Sequence, residues 1–132
     1  MKAVLDTHAW LWWVTGDRRL SQKARSKIDA AKRTQSLFIS AISIWEIAKK
    51  VEKQQLVLDR SLDLWIDLAI DNAQLQVLEM SRTILVESCR LPQPFHGDPA
   101  DQIIVATARD GAMGLISKDA RIRSYPHVQS YW

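Results

Sequence analysis

A chain of 132 residues, 47% hydrophobic and 25% charged, has the size and make-up of one globular domain with its own core. It holds no internal repeat, low-complexity tract or Pro/Gly/Ser-rich linker, so residues 1–132 read as a single domain, and the lone Cys89 excludes an internal disulfide or a zinc–thiolate cluster. A net charge of +3 with basic residues gathered between positions 17 and 33 and at Lys49, Lys50 and Lys53 is compatible with solvated helix faces or with a polyanionic partner such as nucleic acid.

The segment KAVL (2–5) is an apolar strand ending at Asp6, and AWLWWVTG is a short helix stopped by Gly16. Asp6 and His8 interrupt the N-terminal apolar run, and no small-residue cleavage site follows, which argues against a signal peptide. No apolar run approaches the ~18 residues that span a membrane, so a soluble, cytoplasmic protein is expected. Ser21 is placed to cap a helix whose Leu20, Ala24, Ile28 and Ala31 share one face. SLFIS (36–40) reads as a second strand. ISIWEIAKKVEKQQL follows as a helix with Ile44, Ile47, Ala48 and Val51 on one side, and SLDLWIDLAIDNA (61–73) as another.

QLQVLEM (74–80) alternates like a strand, SRTILVESCRL is helical, and PQPFHG is a loop. PADQIIVATARDG is a helix opened by Pro99 in its first turn and closed near Gly111. AMGLIS is a fourth core strand, KDARIRSY one or two helical turns, and HVQSYW a last strand. Short apolar strands alternating with helices predict an α/β fold, with a mostly parallel sheet and helices on both faces. Ligands of such sheets bind beyond the carboxyl ends of the strands.

Five acids lie near those ends. Asp6 follows the first strand, Asp98 precedes Pro99, Asp101 falls in a first helical turn, Asp119 follows GLIS, and Ser43 with Glu46 matches a capping box. Each alone is explained by helix capping or by the helix dipole. Together, Asp6, Glu46, Asp101 and Asp119 would crowd one edge of the sheet and raise one another's pKa values. A hard divalent cation resolves that repulsion, since Mg²⁺ and Mn²⁺ favour oxygen ligands.

In order and spacing, LDTHAWLWW, SAISIWEIAKK, HGDPADQIIVATA and LISKDARI resemble the PIN-domain family, and within it the VapC-type ribonuclease toxins. The resemblance covers most of the chain. It implies a three-layer PIN-like sheet of about five strands. It implies an Mg²⁺- or Mn²⁺-dependent endoribonuclease that acts as a growth-inhibiting toxin, pairs as a homodimer and is neutralised by a cognate antitoxin inserted near the active site. The family's acidic quartet falls on Asp6, Glu46, Asp101 and Asp119. Asp6 and Asp101 would bind metal, Glu46 and Asp119 directly or through water. Asp98 is then an accessory acid, with Thr7 and Ser117 as accessory hydroxyls. Relatives tend to carry Arg where Gly97 and Gln102 stand, and Thr where Ser117 stands.

His8 and His96 sit beside acids, but an oxygen-ligand site does not require them. Trp10 and Trp13 at i, i+3, Trp45 beside Glu46, and the other tryptophans suit core or dimer packing, and base stacking as an alternative. Trp10, Trp12, Trp13 and Trp65 are candidates for a dimer or antitoxin surface. Two other readings compete: a non-catalytic α/β interaction domain whose acids only cap, and a phosphate-handling α/β enzyme. A haloacid-dehalogenase-type phosphatase would need Asp where His8 stands, and a receiver domain would need an Asp after LQVLEM.

Overall fold

The computed structural model describes residues 1–132. Five short strands form one sheet: β1 (Ala3–Leu5), β2 (Leu37–Ser40), β3 (Gln76–Leu78), β4 (Gly114–Ile116) and β5 (Ser130–Tyr131). Their spatial order is β3-β2-β1-β4-β5, and every neighbouring pair is parallel. The expected mostly parallel sheet is thus wholly parallel. Val4 pairs with Phe38 on one side and Leu115 on the other, so the first strand of the chain is the middle of the sheet. The chain winds outward from β1 to β3, then returns to the other side of β1 as β4. That reversal opens a crevice beyond the carboxyl ends of β1 and β4.

Helices cover both faces because successive strand residues point to opposite sides. Ala3 and Leu5 pack with Leu37, Ile39 and Ile116 under α1 (Thr7–Thr15), α2 (Gln22–Arg33), part of α3 (Ala41–Glu52) and α4 (Leu62–Asp67). Val4 and Leu115 face the other way, against α5 (Arg82–Ser88), α6 (Pro99–Asp110) and α7 (Ala120–Arg123). The result is the expected three-layer arrangement. Trp10 fills the first layer, fully buried beside Trp65, with its indole N–H donated to the Ala69 carbonyl at 3.1 Å.

Several elements differ in extent from their predicted spans. The first helix begins at Thr7, because the Asp6 carboxylate accepts the Ala9 N–H and closes the turn there. Gly16 ends it as expected, at φ +69°, a left-handed conformation that glycine adopts freely. The third helix stops at Glu52, before a left-handed Gln54. The Ser43–Glu46 capping box does not form: β2 runs straight into α3, and Ser40 caps it by accepting the Ile42 N–H. The stretch 61–73 divides into α4 and a π-helical turn at Leu68–Asn72. Trp10, Trp12 and Trp65 belong to the core and not to an outer surface.

Candidate active site

Asp6 and Asp119 stand where a strand hands over to a helix, and Asp98 where a loop enters α6. Asp6 caps α1, and Asp98 caps α6 by accepting the Asp101 N–H at 3.0 Å. Asp119 caps α7 by accepting the Arg121 N–H at 2.8 Å. Capping and clustering are therefore not alternatives. The caps aim these carboxylates into the crevice that the sheet order creates. Pro99 at the start of α6 puts Asp101 in its first turn, as expected. Glu46, in the second turn of α3, reaches the same crevice from the β2 side.

The electrostatics record the convergence. Burial lifts the Asp101 pKa to about 7, and the charges of Asp98, Asp119, Glu46 and Asp6 add to the rise. Burial lifts Asp6 to about 6, opposed by hydrogen bonds from Ser117 and the Ala9 N–H and reinforced by Asp119. Glu46 is also raised, by burial first and by Asp98, while its bond to Thr7 acts against the rise. Asp119 moves the other way, because the Arg121 guanidinium beside it favours the carboxylate.

The hydroxyls hold the acids in place. Buried Thr7 bonds the Glu46 carboxylate and lies 2.9 Å from the Ser43 hydroxyl. Buried Ser117 serves Asp6 and accepts the Asp119 N–H at 3.1 Å. His96 Nδ1 accepts the Asp98 N–H at 3.3 Å, which leaves Nε2 facing Asp101. That buried Nε2 lies 3.2 Å from Asp101 Oδ2, close enough for an ion pair but too poorly aligned for a hydrogen bond. Gln102 donates its side-chain amide to the His96 carbonyl and closes this loop onto α6. Gly97 is exposed, with open space about its Cα.

Sequence reasoning missed Arg121. Its Nη2 lies 2.9 Å from Asp119 and 3.6 Å from Asp101. The signal was an arginine two residues beyond a capping Asp, which becomes informative only when α6 is seen alongside. Lys118 makes no ion pair with the acids; it lies over the Trp12 ring, as does Arg19. These cations, with His8, rim a 270 Å³ pocket lined by Asp6, His8, Trp12, Lys118 and Asp119. A larger groove of 490 Å³ lies elsewhere, lined by Leu11, Val14, Leu56, Val57, Leu58 and Trp65 among others. It is mostly apolar and lacks the clustered acids.

No three His, Cys, Asp or Glu side chains stand at mutual ligating distance. The donor chemistry nevertheless fits a hard divalent cation. It is all oxygen, and Asp101, Asp6 and Glu46 are held in an environment that disfavours their charged forms. Arg121 now compensates part of the charge on Asp101.

Fold and pocket together define an α/β domain with an acidic pocket at the switch point of a parallel sheet. The chain belongs to the PIN domain family, whose profile matches residues 3–128. It is 32% identical over 124 residues to Ribonuclease VapC22 of Mycobacterium tuberculosis, covering 94% of this chain and 92% of that protein. Among solved structures it superposes on a chain of VapBC2 from Rickettsia felis bound to a promoter DNA fragment, with TM-score 0.68, 14% identity, and 99% and 98% of the two chains covered. A chain of DNA-bound VapBC from Salmonella typhimurium gives TM-score 0.62 at 19% identity, over 99% and 97% of the two chains. FitAcB from Neisseria gonorrhoeae gives 0.64 at 13% identity, over 98% and 96%. At these identities the structural likeness speaks for the fold.

Proposed function

We propose that residues 1–132 form one catalytic unit, a metal-dependent endoribonuclease that acts as a VapC-type toxin. The observation that carries this reading is the convergence of Asp6, Glu46, Asp101 and Asp119 on one crevice of a PIN-family fold. The ribonuclease relative aligned along nearly the whole chain supports the substrate class. Asp6 and Asp101 would hold a Mg²⁺ or Mn²⁺ ion, with Glu46 and Asp119 contributing directly or through water. Such an ion supplies an activated water and neutralises charge on the phosphate.

The chain's own groups prepare that chemistry. Thr7 and Ser43 hold Glu46 toward the crevice, and Ser117 does the same for Asp6. Asp98 fixes the first turn of α6 and so the position of Asp101. With a pKa near neutrality, Asp101 exchanges its proton at working pH and is readied for a cation as that proton leaves. Rim cations Arg19, Lys50 and Lys118 favour an incoming polyanion.

The toxin is a homodimer in the cytoplasm, regulated by a cognate antitoxin. Two of the similar structures named above are VapBC assemblies, which supports a protein partner. An apolar antitoxin segment suits the groove at Leu11, Leu56 and Val57, and a basic antitoxin side chain suits the acidic pocket, where it competes with the metal. No helix of the chain is long and apolar enough to cross a membrane.

The test is cleavage of a mixed RNA pool by the purified protein, first with EDTA and then with Mg²⁺ or Mn²⁺ restored. Cleavage should stop with EDTA and return with metal. Equal cleavage under both conditions would refute metal dependence, and none under either would refute the ribonuclease reading.

A further inference from the structure

The only cation in direct contact with two members of the acidic quartet is the chain's own Arg121. Its backbone N–H and Nε both approach Asp119 Oδ1, at 2.8 and 3.3 Å, and its Nη2 lies 2.9 Å from Asp119 Oδ2. The same Nη2 lies 3.6 Å from Asp101 Oδ2. The guanidinium thus spans carboxylates from two different helices, α6 and α7. It does so from the solvent side: the Arg121 side chain is 59% exposed, against 19% for Asp101 and 27% for Asp119. An exposed ion pair of this kind is weak and exchanges readily. Two other cations of the rim have partners of their own. Arg19 is paired with Asp17 and stacked on Trp12, and Lys118 lies over the same ring.

A guanidinium is a poor permanent ligand substitute for a divalent ion, since it carries one charge and cannot polarise water. It is well made for a second task. Its planar fork matches a phosphate as well as a carboxylate. We propose that Arg121 is the resident counter-cation of the acidic pocket, bridging Asp101 and Asp119 until a divalent metal takes its place, and that the released guanidinium then binds an RNA phosphate. The inference rests on the metal-dependent ribonuclease reading. It assigns Arg121 a substrate-binding role that neither the caps nor the acids reveal.

The test compares the wild type with Arg121→Gln, Asp101→Asn and, as a control on the same short helix, Arg123→Gln. Mn²⁺ binding is measured by calorimetry, without RNA. Removing a competing positive charge from the pocket should tighten Mn²⁺ binding by about tenfold in Arg121→Gln, a value set by an exposed charge in a high effective dielectric. At saturating Mn²⁺, the KM for RNA should rise, and its dependence on salt should weaken by about one phosphate contact. Arg123→Gln should match the wild type in both. Arg121→Gln with unchanged or weaker Mn²⁺ affinity would overturn the inference alone, provided the wild type binds Mn²⁺ and Asp101→Asn weakens it. An unchanged KM and salt slope would overturn it too. A wild type that binds no Mn²⁺ would remove both the inference and the metal reading beneath it.

Discussion

Replacing Asp101 with Asn removes one charge and almost no volume. In the metal-free protein the rise of its pKa from 3.8 to about 7 disfavours the carboxylate by ~4 kcal/mol once it is ionised. Several effects reduce what the substitution recovers. The side chain is 19% exposed, so solvent screens part of the repulsion. Asn also forfeits the favourable helix dipole, ~0.3–1 kcal/mol, and the contacts with His96 and Arg121. A net stabilisation of ~1–2 kcal/mol at pH 8 remains, or roughly 3–8 °C in Tm for a domain of this size. The sign follows from linkage. Between pH ~4 and ~7 the folded carboxyl keeps a proton that the unfolded chain releases, so metal-free stability falls as pH rises through that window. Above it the loss is complete. Asp101→Asn lacks that slope, so its advantage should vanish near pH 4 and be full at pH 8. Thermal melts of the metal-free proteins across this range measure it. Repeating them with Mg²⁺, alongside single-turnover RNA cleavage, reverses the ranking: wild type gains stability and activity, while the variant gains little of either. A folded Asp101→Asn protein that is less stable than wild type at pH 8 and cleaves RNA at the wild-type rate would refute the reasoning and leave Asp101 as a first-turn residue only.

Asp6→Asn should follow the same pattern in melts and cleavage, with a smaller apo gain because its pKa stands at about 6. Asp98→Ala should lose ~1 kcal/mol by chemical denaturation, as an N-cap does, with a milder fall in cleavage than Asp101→Asn. Mn²⁺ should raise the wild-type Tm more at pH 8 than at pH 5.5, since Asp101 and Asp6 must shed protons to bind it; an equal shift at both values, read by scanning calorimetry, would count against their ligation. Val57 is 91% exposed at the edge of the apolar groove, so Val57→Asp should spare stability and metal-dependent cleavage but abolish co-purification with the antitoxin. Retained co-purification would move the antitoxin seat elsewhere.

The central strands β1, β2 and β4 were legible because each is short, largely apolar and bounded, and because period-two burial sends Val4 to one layer and its neighbours Ala3 and Leu5 to the other. The acids were legible as caps and as a set, since a parallel α/β sheet collects strand ends along one edge. What escaped was local competition between similar signals. SAISIWE offers two serines, and either could cap a helix by sequence. Ser40 wins because β2 turns into α3 without a loop, leaving Ser43 buried inside the first turns where it faces Thr7. The π-helical turn at Leu68–Asn72 has no distinct periodicity over so few residues. Trp10, Trp12 and Trp65 sit on faces that amphipathic spacing alone does not orient, and the core takes them. Arg121 escaped for a different reason: its second partner, Asp101, is distant in sequence and meets it only through the packing of α7 beside α6.

The central position of β1 has a kinetic consequence. β1 can pair with β2 soon after it is made, yet its other edge waits for β4, so that Val4 meets Leu115 only after more than a hundred further residues have followed it. Such distant pairings carry a large loop-closure entropy and slow the approach to the native state. The acids are dealt out along the same path: Asp6 and Glu46 come early, Asp101 and Asp119 late. A partly synthesised or prematurely terminated chain therefore holds half the pocket and cannot assemble the rest. On the proposed reading, hydrolytic capacity does not grow in proportion to the length made; it is completed in a single step, when β4 docks against β1 and brings Asp119 across to Asp6.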